Sequence, residues 1–105
     1  MKETQMLKGV LDGCVLQIIS LNYFYGYELV QELINHFFEN IVGGTVYPLL
    51  QKLEKNDLIL SQNKPSPDGP DRKYFYLTDQ GKAYLEDFWS QWTELVQKVQ
   101  RLKGE

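Results

Sequence analysis

The sequence has one cysteine, Cys14, and one histidine, His36, among 105 residues. A single cysteine excludes an intrachain disulfide framework. With one histidine beside it, no cluster of His and Cys can hold a structural zinc. Long apolar runs are missing too, and none approaches the roughly 18 residues of a membrane helix. The opening Met1-Lys2-Glu3-Thr4-Gln5 mixes charges and lacks the apolar stretch of a secretory leader. These absences lead us to expect a cytoplasmic protein that does not enter a membrane. Catalytic sets are scarce as well. No nucleophile, base and orienting group assemble around one Cys and one His. The carboxylate pair Glu86-Asp87 falls on an exposed helix. We expect no enzyme, no metal and no cofactor. An excess of positive charge is also missing. Eleven basic and fourteen acidic side chains leave a net charge of −3, which argues against a strongly basic nucleic-acid binder.

What is present is apolar matter: 43% hydrophobic residues and 13% aromatic. That is enough for a folded core and argues against disorder. The length fits one domain, and a domain this small gains from self-association. The charge is unevenly spread. Residues 1–42 carry two basic and five acidic side chains, and residues 79–105 carry four and five. Residues 43–78 carry five basic (Lys52, Lys55, Lys64, Arg72, Lys73) and four acidic. The middle is the one stretch that is not net negative.

The apolar steps give the order of elements. Leu7, Val10, Leu11, Cys14, Val15, Ile18 and Ile19 make one face of a first helix. A break follows at Leu21-Asn22-Tyr23-Phe24-Tyr25-Gly26. A second helix reads from Tyr27 to Phe38, with Leu29, Leu33, Ile34, Phe37 and Phe38 on its apolar side. Gly43-Gly44 separates it from a third, with Thr45 as candidate N-cap and Pro48 in the first turn. Val46, Leu49, Leu50 and Leu53 form its buried stripe, and Asn56-Asp57 ends it. Two extended runs follow, Leu58 to Gln62 and Lys73 to Leu77. Between them Lys64 to Asp71, with three prolines and a glycine, reads as a loop. Thr78 caps a last helix whose seam is Leu85, Phe88, Trp92, Leu95, Val99 and Leu102. The steps 3, 4, 3, 4, 3 are coiled-coil spacing. From Asp79 to Leu102 that helix spans about 36 Å, more than so small a core needs.

The expected fold is mainly α with a β-hairpin wing: a winged helix-turn-helix over 1–78 and a long C-terminal dimerisation helix over 79–105. The residues Leu7-Lys8-Gly9, Tyr25-Gly26-Tyr27-Glu28-Leu29, Gly44-Thr45-Val46-Tyr47-Pro48-Leu49-Leu50, Leu53-Glu54 and the run Gly69 to Gly81 occur in that order. Over about residues 6–81 the chain resembles the PadR family of bacterial transcriptional regulators. The short single C-terminal helix is similar to the small-subunit branch, which includes multidrug-sensing repressors. The resemblance implies a homodimer that binds a two-fold, double-stranded DNA operator, usually as a repressor. It makes the third helix the recognition helix and the hairpin tip the wing.

The residues themselves leave two readings at each site. With the core stripe inward, Thr45, Tyr47, Gln51, Lys52 and Lys55 face outward. Thr45 and Tyr47 can donate to phosphate oxygens, Gln51 can read adenine, and the lysines can neutralise phosphates. The plainer reading is a solvated face with a capping threonine. Lys64, Arg72 and Lys73 flank the hairpin tip and suit phosphate or minor-groove contact, although Asp68 and Asp71 sit among them. On the last helix, Trp92 and Trp89 supply a dimer core. The multidrug branch implies instead that flat aromatic or phenolic effectors stack at Trp92 across the dimer centre. Gly9 and Gly13 share a face with Gln17. That strip is either close packing or room for a ligand between Gly13, Gln17, Trp89 and Trp92. Cys14 reads as a small core residue and His36 as a surface or capping residue. The competing function is a protein-interaction winged helix without DNA binding.

Overall fold

The computed structural model describes residues 3–22, 24–36 and 38–104. Five helices and three strands follow one another as α1 (Glu3–Leu7), α2 (Leu11–Leu21), β1 (Phe24–Tyr25), α3 (Gly26–Asn35), α4 (Gly43–Lys55), β2 (Ile59–Ser66), β3 (Gly69–Leu77) and α5 (Asp79–Lys103). The core lies where α2, α3 and α4 meet the sheet. Val15, Leu16, Leu29, Leu33 and Val46 are wholly buried, and Leu53, Ile59 and Phe75 close it. Each comes from the inward stripe of its element, so hydrophobic burial drives the three-helix head together.

Several boundaries differ from the sequence pattern, each for a local reason. The first apolar run is two helices. Val10 N–H donates to the Leu7 carbonyl at 2.9 Å, an i to i−3 bond that turns the chain around Gly9. Glycine is a weak helix former and the break falls there. Gly9 and Gly13 therefore do not lie on one helix.

The second helix starts at Gly26 and stops at Asn35, with the exposed His36 as C-cap. Phe38 lies past its end, where its N–H donates to the Leu33 carbonyl at 3.0 Å. Phe37 and Tyr23 lie outside the described residues. The expected break at 21–26 contains β1, which pairs with β3 through Phe24↔Phe75 and Tyr25↔Tyr74. The sheet order is β1-β3-β2, all antiparallel.

Thr45 is not the cap of α4. Val42 is, and its carbonyl accepts from Thr45 N–H at 3.0 Å and Val46 N–H at 3.2 Å. Pro48 is thus the sixth helical residue. It cannot donate to Gly44, whose exposure leaves that carbonyl to solvent.

The hairpin is longer than its prolines suggest. Strand pairing runs out to Ser66↔Gly69, and Pro67-Asp68 makes the turn. A bulge between Lys64 and Ser66 takes up Pro65 and Pro70. Both prolines lie beyond the reach of β1, where the ladder is two strands wide and a missing donor can face solvent.

Thr78 does cap α5, its Oγ1 accepting from Gly81 N–H at 2.9 Å. Only the first half of α5 packs on the head. Leu85 is buried at 7% exposure, whereas Leu95, Val99 and Leu102 are 54%, 47% and 89% exposed. Among the described residues no helix is long and apolar enough to cross a membrane.

Candidate nucleic-acid interface

α4 presents the predicted face. Val46, Leu50 and Leu53 point inward, which turns Thr45, Tyr47, Gln51, Lys52 and Lys55 outward, all of them exposed. Where this face meets the wing, a hollow of about 430 Å³ is lined by Tyr25, Tyr27, Tyr47, Gln51, Arg72 and Lys73, among others. One surface therefore gathers residues from the start of α3, from α4 and from β3.

Lys52 and Lys73 of this surface are already engaged within the chain. Lys52 Nζ donates to Asp12 Oδ2 at 3.0 Å, a contact between residues 40 positions apart. That hydrogen bond pushes the Lys52 pKa up. Lys73 Nζ donates to Glu54 Oε1 at 3.1 Å. The other Glu54 oxygen accepts from the Ser61 hydroxyl. The Ser61 hydrogen bond, with Lys73 behind it, holds the Glu54 carboxyl below its ordinary range against the upward push of burial.

Arg72 and Lys73 both border the hollow, but their side chains engage different partners. Successive strand residues point to opposite faces. Arg72 lies with Tyr74 and Tyr76, and Lys73 lies with the buried Phe75. The Arg72 guanidinium sits 4.5 Å from the centre of the Tyr25 ring, and its terminal nitrogen is 4.0 Å from Asp68. Lys64 is the cross-strand neighbour of Arg72. Its ammonium lies 5.2 Å from the Tyr74 ring centre and 5.5 Å from that of Tyr76. Like charges facing across a ladder repel, and the negative ring faces offset that repulsion.

The four residues grouped for a ligand do not share one space within the single chain. Gly13 is covered by Phe88. A Cβ built there would stand 2.2 Å from the Phe88 ring, so close packing of α5 on α2 takes up the strip. Trp89 Nε1 donates to Gln17 Oε1 at 2.9 Å and packs edge-on to Phe88. Trp89 borders a small hollow of about 200 Å³ with Cys14, Ile18, Leu33 and Phe38. Trp92 borders a different one, of about 390 Å³, with Gly9, Val10, Tyr84 and Leu95. Burial pushes the Cys14 thiol pKa up, which suits a packing residue more than a reactive one.

Asp12 and Ser61 carried no signal in the sequence, and Glu54 stood in a motif with no role attached. Their roles depend on contacts between distant elements that periodicity does not encode. Tyr25 and Tyr27 stood in a motif with no role attached. Aromatic residues flanking Gly26 were the available signal. Among the described residues no three metal-binding side chains come together.

Comparisons agree with this architecture. A Streptococcus transcriptional regulator of known structure is 58% identical, with a TM-score of 0.86 over 96% of this chain and 99% of that one. A PadR-like transcriptional regulator from Bacillus cereus is 44% identical, with a TM-score of 0.85 over 96% of this chain and 98% of that one. Bacillus subtilis PadR, solved with operator DNA, is 24% identical and shares the fold, with a TM-score of 0.70 over 76% of this chain and 45% of that one. Residues 15–87 match the model of the Transcriptional regulator PadR-like family. Members of that family are transcriptional regulators, not enzymes. The chain belongs to the PadR-like family of transcriptional regulators.

Proposed function

We propose that two copies of this chain bind a two-fold operator in double-stranded DNA and repress transcription there. The observation that carries the reading is the joint surface of α4 and the wing, where Tyr47, Gln51, Arg72 and Lys73 border one hollow. α4 enters the major groove. Thr45 and Tyr47 donate to phosphates, Gln51 meets a base edge, and Lys52 neutralises backbone charge. Lys64, Arg72 and Lys73 on the wing contact phosphate or the minor groove. The shared fold of an operator-bound PadR supports this placement.

The exposed seam of α5 supports a second copy. Trp92, Leu95, Val99 and Leu102 keep coiled-coil spacing and stay exposed in one protomer. Leu85 and Phe88 at the start of the seam pack on the head, and the same helix of a partner covers the rest. A dimer places two recognition helices about 34–36 Å apart, or a multiple of that. The repressor role rests on the family likeness. A flat aromatic effector fits the hollow beside Trp92, where the partner helix would close it. Such a ligand weakens operator binding if it prefers a different helix separation.

Selection of genomic fragments by the purified protein tests the reading. The expected product is an inverted repeat whose half-sites are about one helical turn apart. Fragments without a shared repeat contradict it and favour a winged helix that serves a protein partner. For the effector, aromatic ligands should quench tryptophan fluorescence and lower operator affinity together. Quenching without an affinity change refutes the coupling.

A further inference from the structure

Two glycines hold the ring of Tyr47. Gly26 opens α3 and Gly43 opens α4. A Cβ at Gly26 would stand 2.6 Å from one ε carbon of Tyr47, and a Cβ at Gly43 would stand 2.6 Å from the other. The ring is therefore wedged by its two opposite edges between the first residues of two helices. Neither glycine is required by the backbone. The described positive-φ positions are Asp57, Gly69 and Gly104, and Gly26 and Gly43 are not among them. Space is what glycine supplies at both places.

The packing has a simple origin. A long helical side chain leans back over the residue four positions earlier, which for Tyr47 is Gly43. With no side chain there, the ring drops onto the backbone of α4. Its far edge then reaches the start of α3, where Gly26 again offers no side chain. Any Cβ at either site would push the ring away by about 1 Å to reach an ordinary contact distance. Tyr47 is still 45% exposed, so what the slot leaves uncovered faces the hollow shared with Gln51 and Arg72.

We propose that Gly26 and Gly43 are positioning residues that fix the Tyr47 ring, and through it the hydroxyl, for contact with a DNA phosphate. The proposal rests on the reading of α4 as the DNA-facing helix. An exposed tyrosine changes rotamer on the picosecond to nanosecond scale and loses that freedom on binding. A ring held from two sides has lost it beforehand. The hydroxyl then meets the phosphate without reorganisation.

The test is a double-substitution cycle read by affinity for a selected genomic fragment. Tyr47→Phe keeps the ring and removes the donor, and it should weaken binding about tenfold. Gly26→Ala and Gly43→Ala should each weaken it by a similar factor while the donor remains. In a Tyr47→Ala background, Gly26→Ala should cost nothing further, because no ring is left to displace. An equal loss in both backgrounds, or no loss from Gly26→Ala, overturns the positioning role. If Tyr47→Phe and Tyr47→Ala bind like the wild type while specific binding persists, the phosphate contact itself is wrong. The wild-type protein supplies a check free of variants. Nuclear Overhauser contacts should join Tyr47 ring protons to the α protons of both Gly26 and Gly43. Their absence overturns the slot.

Discussion

The head and the far half of α5 differ in how far one chain completes them. In the head, four cations of the proposed DNA face have a partner within the chain. Lys52 meets Asp12, Lys73 meets Glu54, Arg72 lies on Tyr25, and Lys64 lies on Tyr74 and Tyr76. In α5, the seam beyond Phe88 is left to solvent, with Trp92 40% exposed and Leu102 89% exposed. Under the proposed function, the head, complete as a fold, meets a polyanion, and the distal helix takes its apolar cover from a second copy. The pairs in the head also bear on how a chain with net charge −3 would meet DNA under the proposed function. Two of its acids, Asp12 and Glu54, hold the lysines in place. Phosphates can replace them on binding, since exposed ion pairs are worth little in water.

Breaking the α5 seam should have the largest effect. Leu95→Glu places a charge in the expected dimer core of both copies. We expect monomers by sedimentation, and operator affinity lower by about a hundredfold or more. A dimer that survives Leu95→Glu with full affinity would place the contact between copies elsewhere.

Next comes the head core. Leu53→Ala removes a wholly packed side chain at the junction of α4 and β2. It should cost about 2–5 kcal/mol in urea unfolding. A loss below about 1 kcal/mol would mean that this junction collapses to refill the space.

Asp12→Asn should act with the opposite sign. It frees Lys52 from its ion pair and removes a nearby negative charge. Operator affinity should rise by a few fold at low salt, with the gain fading as salt increases. A fall in affinity would show that Asp12 is needed to aim Lys52.

The smallest effect is a pH dependence at Glu54. Its carboxyl pKa is lowered in the folded chain by Ser61 first and Lys73 second. A depressed carboxylate stabilises the fold above the unfolded carboxylate range of about 4.3. That stability is lost as pH falls through the lower folded value. Melting temperature should therefore drop more steeply in acid for the wild type than for Glu54→Gln. Parallel curves would remove Glu54 as a source of acid sensitivity.

Much of this architecture can be read from the chain. The inward stripes of α3 and α4, the Thr78 cap and the length of α5 all follow from periodicity and local chemistry. So does the outward face of α4, because Val46, Leu50 and Leu53 dictate it. What escaped has a common cause. β1 is two residues long and exists because β3 offers it an edge, which no local propensity signals. The wing outran its prolines because a bulge and a missing third strand made room for them. The start of α4 moved from Thr45 to Gly43 because the Val42 carbonyl caught two amides. The ion pairs of Lys52 and Lys73, and the Tyr47 slot, join residues brought together only by the fold.

If the α4 and wing surface reads DNA as a pair of copies, a sedimentation titration of a selected genomic duplex across salt concentrations will show it. The expected result is two chains per duplex, preference over a scrambled duplex, and affinity that falls steeply with salt as counterions are released. One chain per duplex, or binding indifferent to sequence and salt, would contradict it.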